Sequence, residues 1–503
     1  MSIAIKGAQI LSMDPENRAI PFAADILIEQ DRIAAIGIGL DLSGADTVID
    51  GTDKLVMPGL INSHMHSNEA LYKGRYDTMP LEVWMLYAYP ILGAPVLSPR
   101  LVYLRTALCA IESLKTGTTC VTDDVYESPY QTPEQLDALF QAYDDVGLRA
   151  TISGHVVNRP FLDTIPFARD FVPADVQARA DAGTPMAAED WLAICKDALS
   201  RLHGKSGRLN FMLAPSAPQR CTVDLMQAAM EMAEAHDVPF HTHILETKVQ
   251  AVTGHEFYGE TLIAHMHRHG LLKKRTTIAH SIWVTDADIE LMGDAGCSVV
   301  HNVISNQKLG AGVAPVRRLL NAGVNVALGS DGISTSDTTR MFPVMHAAGL
   351  IHNVQTPDTD YWLSAQDVIH AATLGGARSA CLGDQAGSLE VGKKADMLVI
   401  DLNTLPFTPL NDIANHVVYC EDGRSITHSI VNGEIMAENG QCLRVNEADL
   451  LAELRAEMPA FLAAHAETEA MNRAFEDAFW KVHRKANGRD VGVHRLGQEP
   501  AWR

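Results

Sequence analysis

The residues with the most chemical promise are histidines and acids at the ends of short apolar runs. They are His64-Met65-His66, His241-Thr242-His243 followed by Glu246, His280, His301-Asn302 and Asp331. On an extended strand, residues i and i+2 share a face, so His64 and His66 aim at one point. Imidazole nitrogens suit zinc, iron or nickel, and a carboxylate adds a hard anionic ligand. His64, His66, His243 and Asp331 therefore offer three neutral donors and one charge, and a catalytic site of this kind leaves a position open for water. A metal there draws the pKa of water towards neutrality and makes hydroxide available without a strong base. A single histidine at a strand end is usually structural. Four strand ends carrying His, with a fifth carrying Asp, are hard to reach by chance.

The elements that must position these groups alternate. Strand candidates are Leu55–His64, Thr118–Asp124, Arg149–His155, Arg208–Pro215, Pro239–Leu245, Thr276–Ile282, Ser298–Val303 and Asn325–Asp331. Helical patterns lie between them at Ser98–Lys115, Thr132–Val146, Ala187–Leu202, Thr222–His236, Tyr258–His269, Thr285–Asp294 and Ala314–Asn321. Eight strands with intervening helices predict an α/β fold, a (β/α)8 TIM-type barrel whose strand C-termini share one catalytic rim. An open doubly wound sheet is the alternative, but no G-x-G-x-x-G follows the first strand. Both chain ends are β-rich, with a hairpin signal at Asn432-Gly433. The expected division is a small β-sandwich built from 1–56 and 382–445, a catalytic barrel over 57–381 and a helical extension over 446–503. Leu450, Leu451, Leu454, Phe461 and Leu462 give that extension an apolar face for the barrel exterior or a partner subunit.

Composition narrows the class. The 503 residues carry 40 Lys+Arg against 62 Asp+Glu, a net charge of −22, which argues against a nucleic-acid partner. The eight cysteines form no C-x-x-C pair, and several sit in apolar runs, as expected in a reducing compartment. No stretch approaches the ~20 apolar residues of a spanning helix, and the N-terminus shows no cleavage signature. The expected location is the cytoplasm.

With these motifs in order, the sequence resembles the amidohydrolase superfamily. The matching segments are PGLINSHMH (58–66), HTHILE (241–246), IAH (278–280), SVVHNVISNQKLG (298–310), GSDG (329–332) and GSLEVGKKADMLVID (387–401). The resemblance covers roughly 1–440 and is greatest to the mononuclear branch of N-heterocycle deaminases and s-triazine hydrolases. Binuclear relatives place a carboxylated lysine on the fourth strand, and no lysine lies between Arg208 and Pro239. The resemblance implies one divalent metal per chain, zinc first and iron second, held by His64, His66, His243 and Asp331. It implies that Glu246 protonates the ring nitrogen beside the attacked carbon, that His280 orients the nucleophile, and that Asp331 carries the water proton to the leaving amine. It also implies a homodimer or a higher even assembly.

For substrate contacts the resemblance points to Trp84, Ser216, Gln219, His301, Asn302 and Asn306. Two departures bear on the substrate. Nucleoside-deaminating members carry an acid just before the Trp, where Val83 stands here, and a His on the fourth strand end, where Ser216 stands. The expected reaction is hydrolytic removal of an exocyclic amine from a free base, pterin or s-triazine. Displacement of chloride or alkylamine from a triazine, opening of a cyclic amide and a metal-free scaffold are the alternatives. His155, Asn158 and Arg220 are expected to be surface or structural residues, and the mid-helix pair His265/His267 a solvated face.

Overall fold

The computed structural model describes residues 2–15, 20–128 and 130–497. Eight parallel strands close into the predicted barrel: Leu60–His66, Thr118–Asp123, Arg149–Val156, Leu209–Pro215, Phe240–Ile244, Thr276–His280, Ser298–His301 and Asn325–Leu328. Closure uses a break in the last strand. Asn325–Leu328 pairs with the seventh strand, and after Gly329-Ser330 the chain pairs Asp331 with Met65 and Gly332 with His66 of the first. A buried clamp holds that seam, with the Asn62 amide donating to Ser330 Oγ (2.7 Å) and accepting from Ser330 N (2.9 Å).

The expected strand Leu55–His64 is two strands. Lys54–Pro58 belongs to the second sheet and Leu60–His66 to the barrel. Pro58 cannot donate to a continuing ladder, and Gly59 passes so close to Thr119 that a Cβ would lie 2.0 Å from its Oγ1. The helix expected over Tyr258–His269 is the shorter Leu262–Arg268, and an unanticipated helix, Lys248–Tyr258, precedes it and ends at Gly259 in the left-handed conformation. His265 is buried, stacked on Tyr258 with centroids 3.9 Å apart, so only His267 is the solvated residue of that pair.

The second sheet has nine strands drawn from both chain ends, in which Met397–Asp401 pairs with Lys54–Pro58. Its own core of Ile3, Ile5, Ile26, Ile28, Val56, Met397, Val399 and Ile430 is separate from the main one. The hairpin falls where Asn432-Gly433 predicted it, both residues having positive φ, between Ile426–Val431 and Glu434–Glu438. The C-terminal extension forms helices Glu447–Asn472 and Glu476–Asn487. They pack on the barrel's outer helix Pro99–Lys115 and on Leu81–Ala88. No helix among the described residues is long and apolar enough to cross a membrane.

Candidate active site

The strand ends bring the candidate ligands together. His64, His66 and His243 form one group, and His64, His280 and Asp331 another, with the donor atoms of each within 4.8 Å of one another. Asp331 Oδ1 lies 3.2 Å from His64 Nε2 and 3.4 Å from His66 Nε2, and His66 Nε2 lies 3.3 Å from His243 Nε2. The rim backbone is bent to achieve this: Leu245, His280 and Asp331 all have positive φ (57°, 76° and 65°). For such residues that conformation costs about 1–3 kcal/mol each and persists only where the surroundings fix it.

The other face of each imidazole sets its tautomer. His66 Nδ1 donates to the Asp124 carbonyl (2.5 Å) and His243 Nδ1 to the Ser216 carbonyl (3.1 Å). His64 Nδ1 meets His241 Nε2 at 2.8 Å. The carbonyl acceptors leave Nε2 of His66 and His243 with its lone pair towards the cluster, the pattern of metal-bound histidines, and His64 matches it in the tautomer whose Nδ1 donates to His241. His64 Nε2 is then a buried nitrogen without a hydrogen-bond partner, beside a carboxylate oxygen. Lone pairs facing one another in this way require a cation, so the donor set fits a divalent metal.

Electrostatics say the same. Burial lowers His64 to about 4 and His243 well below its usual range, which keeps both neutral. Burial would also lower His66, but the carboxylates of Glu69, Asp331 and Asp124 outweigh it and raise the group to about 9. Asp331 is pulled far below the ordinary carboxylate range by His280, His64 and His66, against the effect of its burial. Positive charge is thus strongly favoured at the centre.

Glu246 behaves oppositely. Burial, reinforced by the charge of Asp331, pushes it well above the usual carboxyl range. Its Oε2 lies 3.7 Å from His280 Nε2, which in turn is 3.8 Å from Asp331 Oδ2. His280 Nδ1 donates to Asn306 Oδ1 at 3.0 Å, directing Nε2 at the two acids.

These groups floor a cavity of about 220 Å³. Trp84, Met85, Tyr89, Tyr126 and Phe161 supply much of its apolar wall, and the segment 157–186 closes the outer side. Of the expected substrate contacts, Trp84 and Ser216 line this cavity. Gln219, His301, Asn302 and Asn306 are buried outside its lining. Asn306 acts through His280, and the rings of His301 and His352 lie 5.4 Å apart. His155 and Arg220, expected to be surface or structural residues, are in the lining, whereas Asn158 is half-buried outside it and bonded to Thr222.

Sequence reasoning missed Glu69. Its carboxylate accepts from Tyr89 Oη (2.6 Å), Ser334 N (3.1 Å) and Ser334 Oγ (2.8 Å). Gly332 has no side chain because a Cβ would meet Glu69 Oε2 at 2.0 Å. The signal available was an acid three residues beyond the first His pair. Asp124 was also missed, although it accepts from Ser153 Oγ (2.6 Å) and pairs with His155 Nδ1 (2.9 Å).

A parallel barrel with an acid and a histidine cluster at its C-terminal rim defines a metal-assisted hydrolase. The sequence matches the Amidohydrolase family over residues 55–436. It is 31% identical over 452 residues to the 5'-deoxyadenosine deaminase of Methanosarcina barkeri (strain Fusaro / DSM 804), covering 90% of this chain and 96% of the relative. It is 32% identical over 441 residues to the 5-methylthioadenosine/S-adenosylhomocysteine deaminase of Thermococcus kodakarensis, covering 87% and 94%. Among solved structures, it superposes on an adenosine deaminase from Xanthomonas campestris with bound zinc at a TM-score of 0.79 and 26% identity, covering 90% of this chain and 97% of that one. It also superposes on atrazine chlorohydrolase from Arthrobacter aurescens TC1 complexed with zinc at a TM-score of 0.82 and 25% identity, covering 91% and 100%. The chain belongs to the amidohydrolase family and is a hydrolase of carbon–nitrogen bonds with a site fitted to a divalent metal.

Proposed function

We propose that the protein is a metal-dependent hydrolytic deaminase that replaces an exocyclic amine of an N-heterocycle with oxygen and releases ammonia. The observation that carries this reading is a buried carboxyl, Glu246, set beside His280 and Asp331 at the floor of an aromatic-walled cavity. His64, His66, His243 and Asp331 would hold the metal, with zinc favoured by the two zinc-bound neighbours and iron the alternative. When bound, the metal supplies Lewis acidity and an activated water.

The chain's own groups handle the protons. Glu246 gives its proton to the ring nitrogen beside the attacked carbon, relieving the negative charge that builds there. His280, its Nδ1 anchored on Asn306, orients the nucleophile. Asp331 takes the proton of the attacking water and delivers it to the amine as the carbon–nitrogen bond breaks. Trp84 and Ser216 stand against the substrate ring, while Asn302, Asn306, His301 and Gln219 support the wall from behind.

The substrate in this reading is a free base, pterin or s-triazine. Val83 is fully buried and supplies no carboxylate for ribose. Its neighbour Glu82 is engaged by Thr247 Oγ1 (2.6 Å) and His483 Nδ1 (3.4 Å) outside the cavity lining. Relatives that deaminate adenosine derivatives make nucleosides the necessary counter-test. The cavity also suits displacement of chloride or alkylamine from a triazine, the reading favoured by the atrazine chlorohydrolase neighbour. The division into 1–56 with 382–445, 57–381 and 446–503 is part of this reading, and the separate core of the second sheet, drawn only from 1–56 and 382–445, supports the first of these units. A cytoplasmic homodimer, or a higher even assembly, completes the proposal.

The test is ammonia release from the zinc- or iron-reconstituted protein with guanine, cytosine, pterin, ammeline, melamine and methylthioadenosine. Release from a base, pterin or triazine is the expected result. Methylthioadenosine as the one good substrate would overturn the free-base assignment, and no release from any of them would overturn the deaminase reading.

A further inference from the structure

The cavity lining holds two arginines that the proposed reaction does not use, Arg220 and Arg159. Arg220 follows the fourth strand and lines the chamber together with Glu246, His280, Tyr89 and Tyr126. Its guanidinium reaches only Ser216 Oγ (3.4 Å, from Nη1) and Met85 Sδ (3.2 Å, from Nη2). No carboxylate among the described residues lies within 4.0 Å of it. The three acids in the lining have other partners: Asp331 in the histidine cluster, Glu69 at Tyr89 and Ser334, and Glu246 beside His280 at 3.7 Å.

A guanidinium is always charged and carries five donors in a fixed fork. Leaving such a group poorly paired away from water costs free energy. Burial accordingly lowers the Arg220 pKa despite the opposing influence of Glu246 and Glu82. The same wall offers a second unmet donor, because the buried indole N–H of Trp84 has no acceptor. Arg159, further along the lining, bonds only to the Gln219 carbonyl and Tyr258 Oη, both at 3.1 Å. This wall therefore has donors in excess and awaits an acceptor.

We infer that Arg220 reads an acidic oxygen of the substrate, either a carboxylate attached to the heterocycle or an oxo group of the ring itself. The inference rests on the deaminase reading for the chemistry at the floor and adds the class of substituent the wall selects. A carboxylate would take the guanidinium in two parallel hydrogen bonds, a ring oxygen in one. Arg220 is a specificity-determining residue here, since it faces the substrate rather than the bond that breaks.

Equilibrium binding to the metal-loaded Glu246→Gln protein, in which turnover is suppressed, tests this, and the Arg220 variants below are made in that background for the binding measurements and in the wild-type background for the pH–rate profile. Two matched pairs separate the sources of the oxygen: pterin against pterin-6-carboxylate, followed by pterin fluorescence, and melamine against ammelide, followed by calorimetry. In at least one pair the oxygen-bearing member is expected to bind tighter by roughly 10- to 100-fold, the scale of a hydrogen bond to a charged group. A preference in the first pair identifies a carboxylate, and one in the second identifies a ring oxygen. Arg220→Gln should erase that preference, while Arg220→Lys, which keeps the charge but loses the fork, should retain part of it. Metal content and circular dichroism establish that the variants are folded. No preference in either pair, or a preference that survives Arg220→Gln, would overturn the inference. If Arg220→Gln instead weakens both members alike and shifts the pH–rate profile, the residue tunes Glu246 and the inference also fails. Ammonia release from neutral heterocycles leaves the deaminase reading standing in each of these cases.

Discussion

The cavity has two walls built in different ways. The inner wall is made of barrel strand ends, where parallel pairing fixes His64, His66, His243, His280 and Asp331 relative to one another. The outer wall is assembled from segments that do not pair with the barrel: helix Leu81–Ala88, the turn at Tyr89–Ile91 and the insertion 157–186. Helices from the far end of the chain brace it. Asn472 Oδ1 accepts from Ile91 N (2.9 Å) and Leu92 N (3.1 Å), Tyr87 Oη donates to Glu476 (2.7 Å), and Arg75 grips Glu469 through Nε and Nη2 (both 2.8 Å). The inner wall carries chemistry common to a family, and the outer wall decides what reaches it. Changes to the first should act on metal content and kcat, and changes to the second on KM.

The largest effect expected is from His66→Ala. It removes a proposed ligand whose Nδ1 is already committed to the Asp124 carbonyl. Metal content measured by mass spectrometry should fall well below one equivalent, and activity should drop beyond the ~10³-fold that loss of one transition-state donor costs. Retention of metal and full activity would place the metal elsewhere. Next in size is Glu246→Gln, which should keep the metal and lose about 10²–10⁴-fold in kcat, the usual contribution of a general acid or base. A loss confined to KM would move Glu246 from the inner wall's function to the outer wall's.

The same contrast explains what was legible in the sequence. Strand alternation and the order of the histidine motifs carried the barrel and its cluster, because a period of two fixes where His64 and His66 point. The hairpin at Asn432-Gly433 was legible for a similarly local reason. The break at Pro58-Gly59 was not, since the next strand's change of sheet depends on Thr119 packing against Gly59. The inward position of Arg220 was equally hidden: its neighbours Ser216 and Met85 lie 4 and 135 residues away in sequence. Glu69 resembled any solvated acid until Tyr89 and Ser334 were brought to it. Side chains aimed by strands could be read, whereas those aimed by tertiary contacts could not.

The smallest effect, and the one that most sharpens the comparison, concerns acid. The hydrogen bond from Arg75 holds the Glu469 carboxyl below its usual range, with burial opposing. A carboxyl depressed in the folded state stabilises it fully above the unfolded value of about 4.3, and that contribution is lost as pH falls through the folded value. The pair is partly exposed, so the energy is modest and screened by salt. Hydrogen exchange between pH 6 and pH 3 should therefore show helix Glu447–Asn472 and the turn at Tyr89–Ile91 loosening together towards the acid end. Loss of the metal at low pH could loosen the same region, and Glu469→Gln separates the two causes. That variant should be looser at pH 6 and lose less protection on acidification, because it has no carboxylate left to protonate. If the wild type and Glu469→Gln respond to acid identically, the brace does not depend on this pair, and the outer wall is held by apolar contacts such as the stacked rings of Phe161 and Phe479 (centroids 6.1 Å apart) instead.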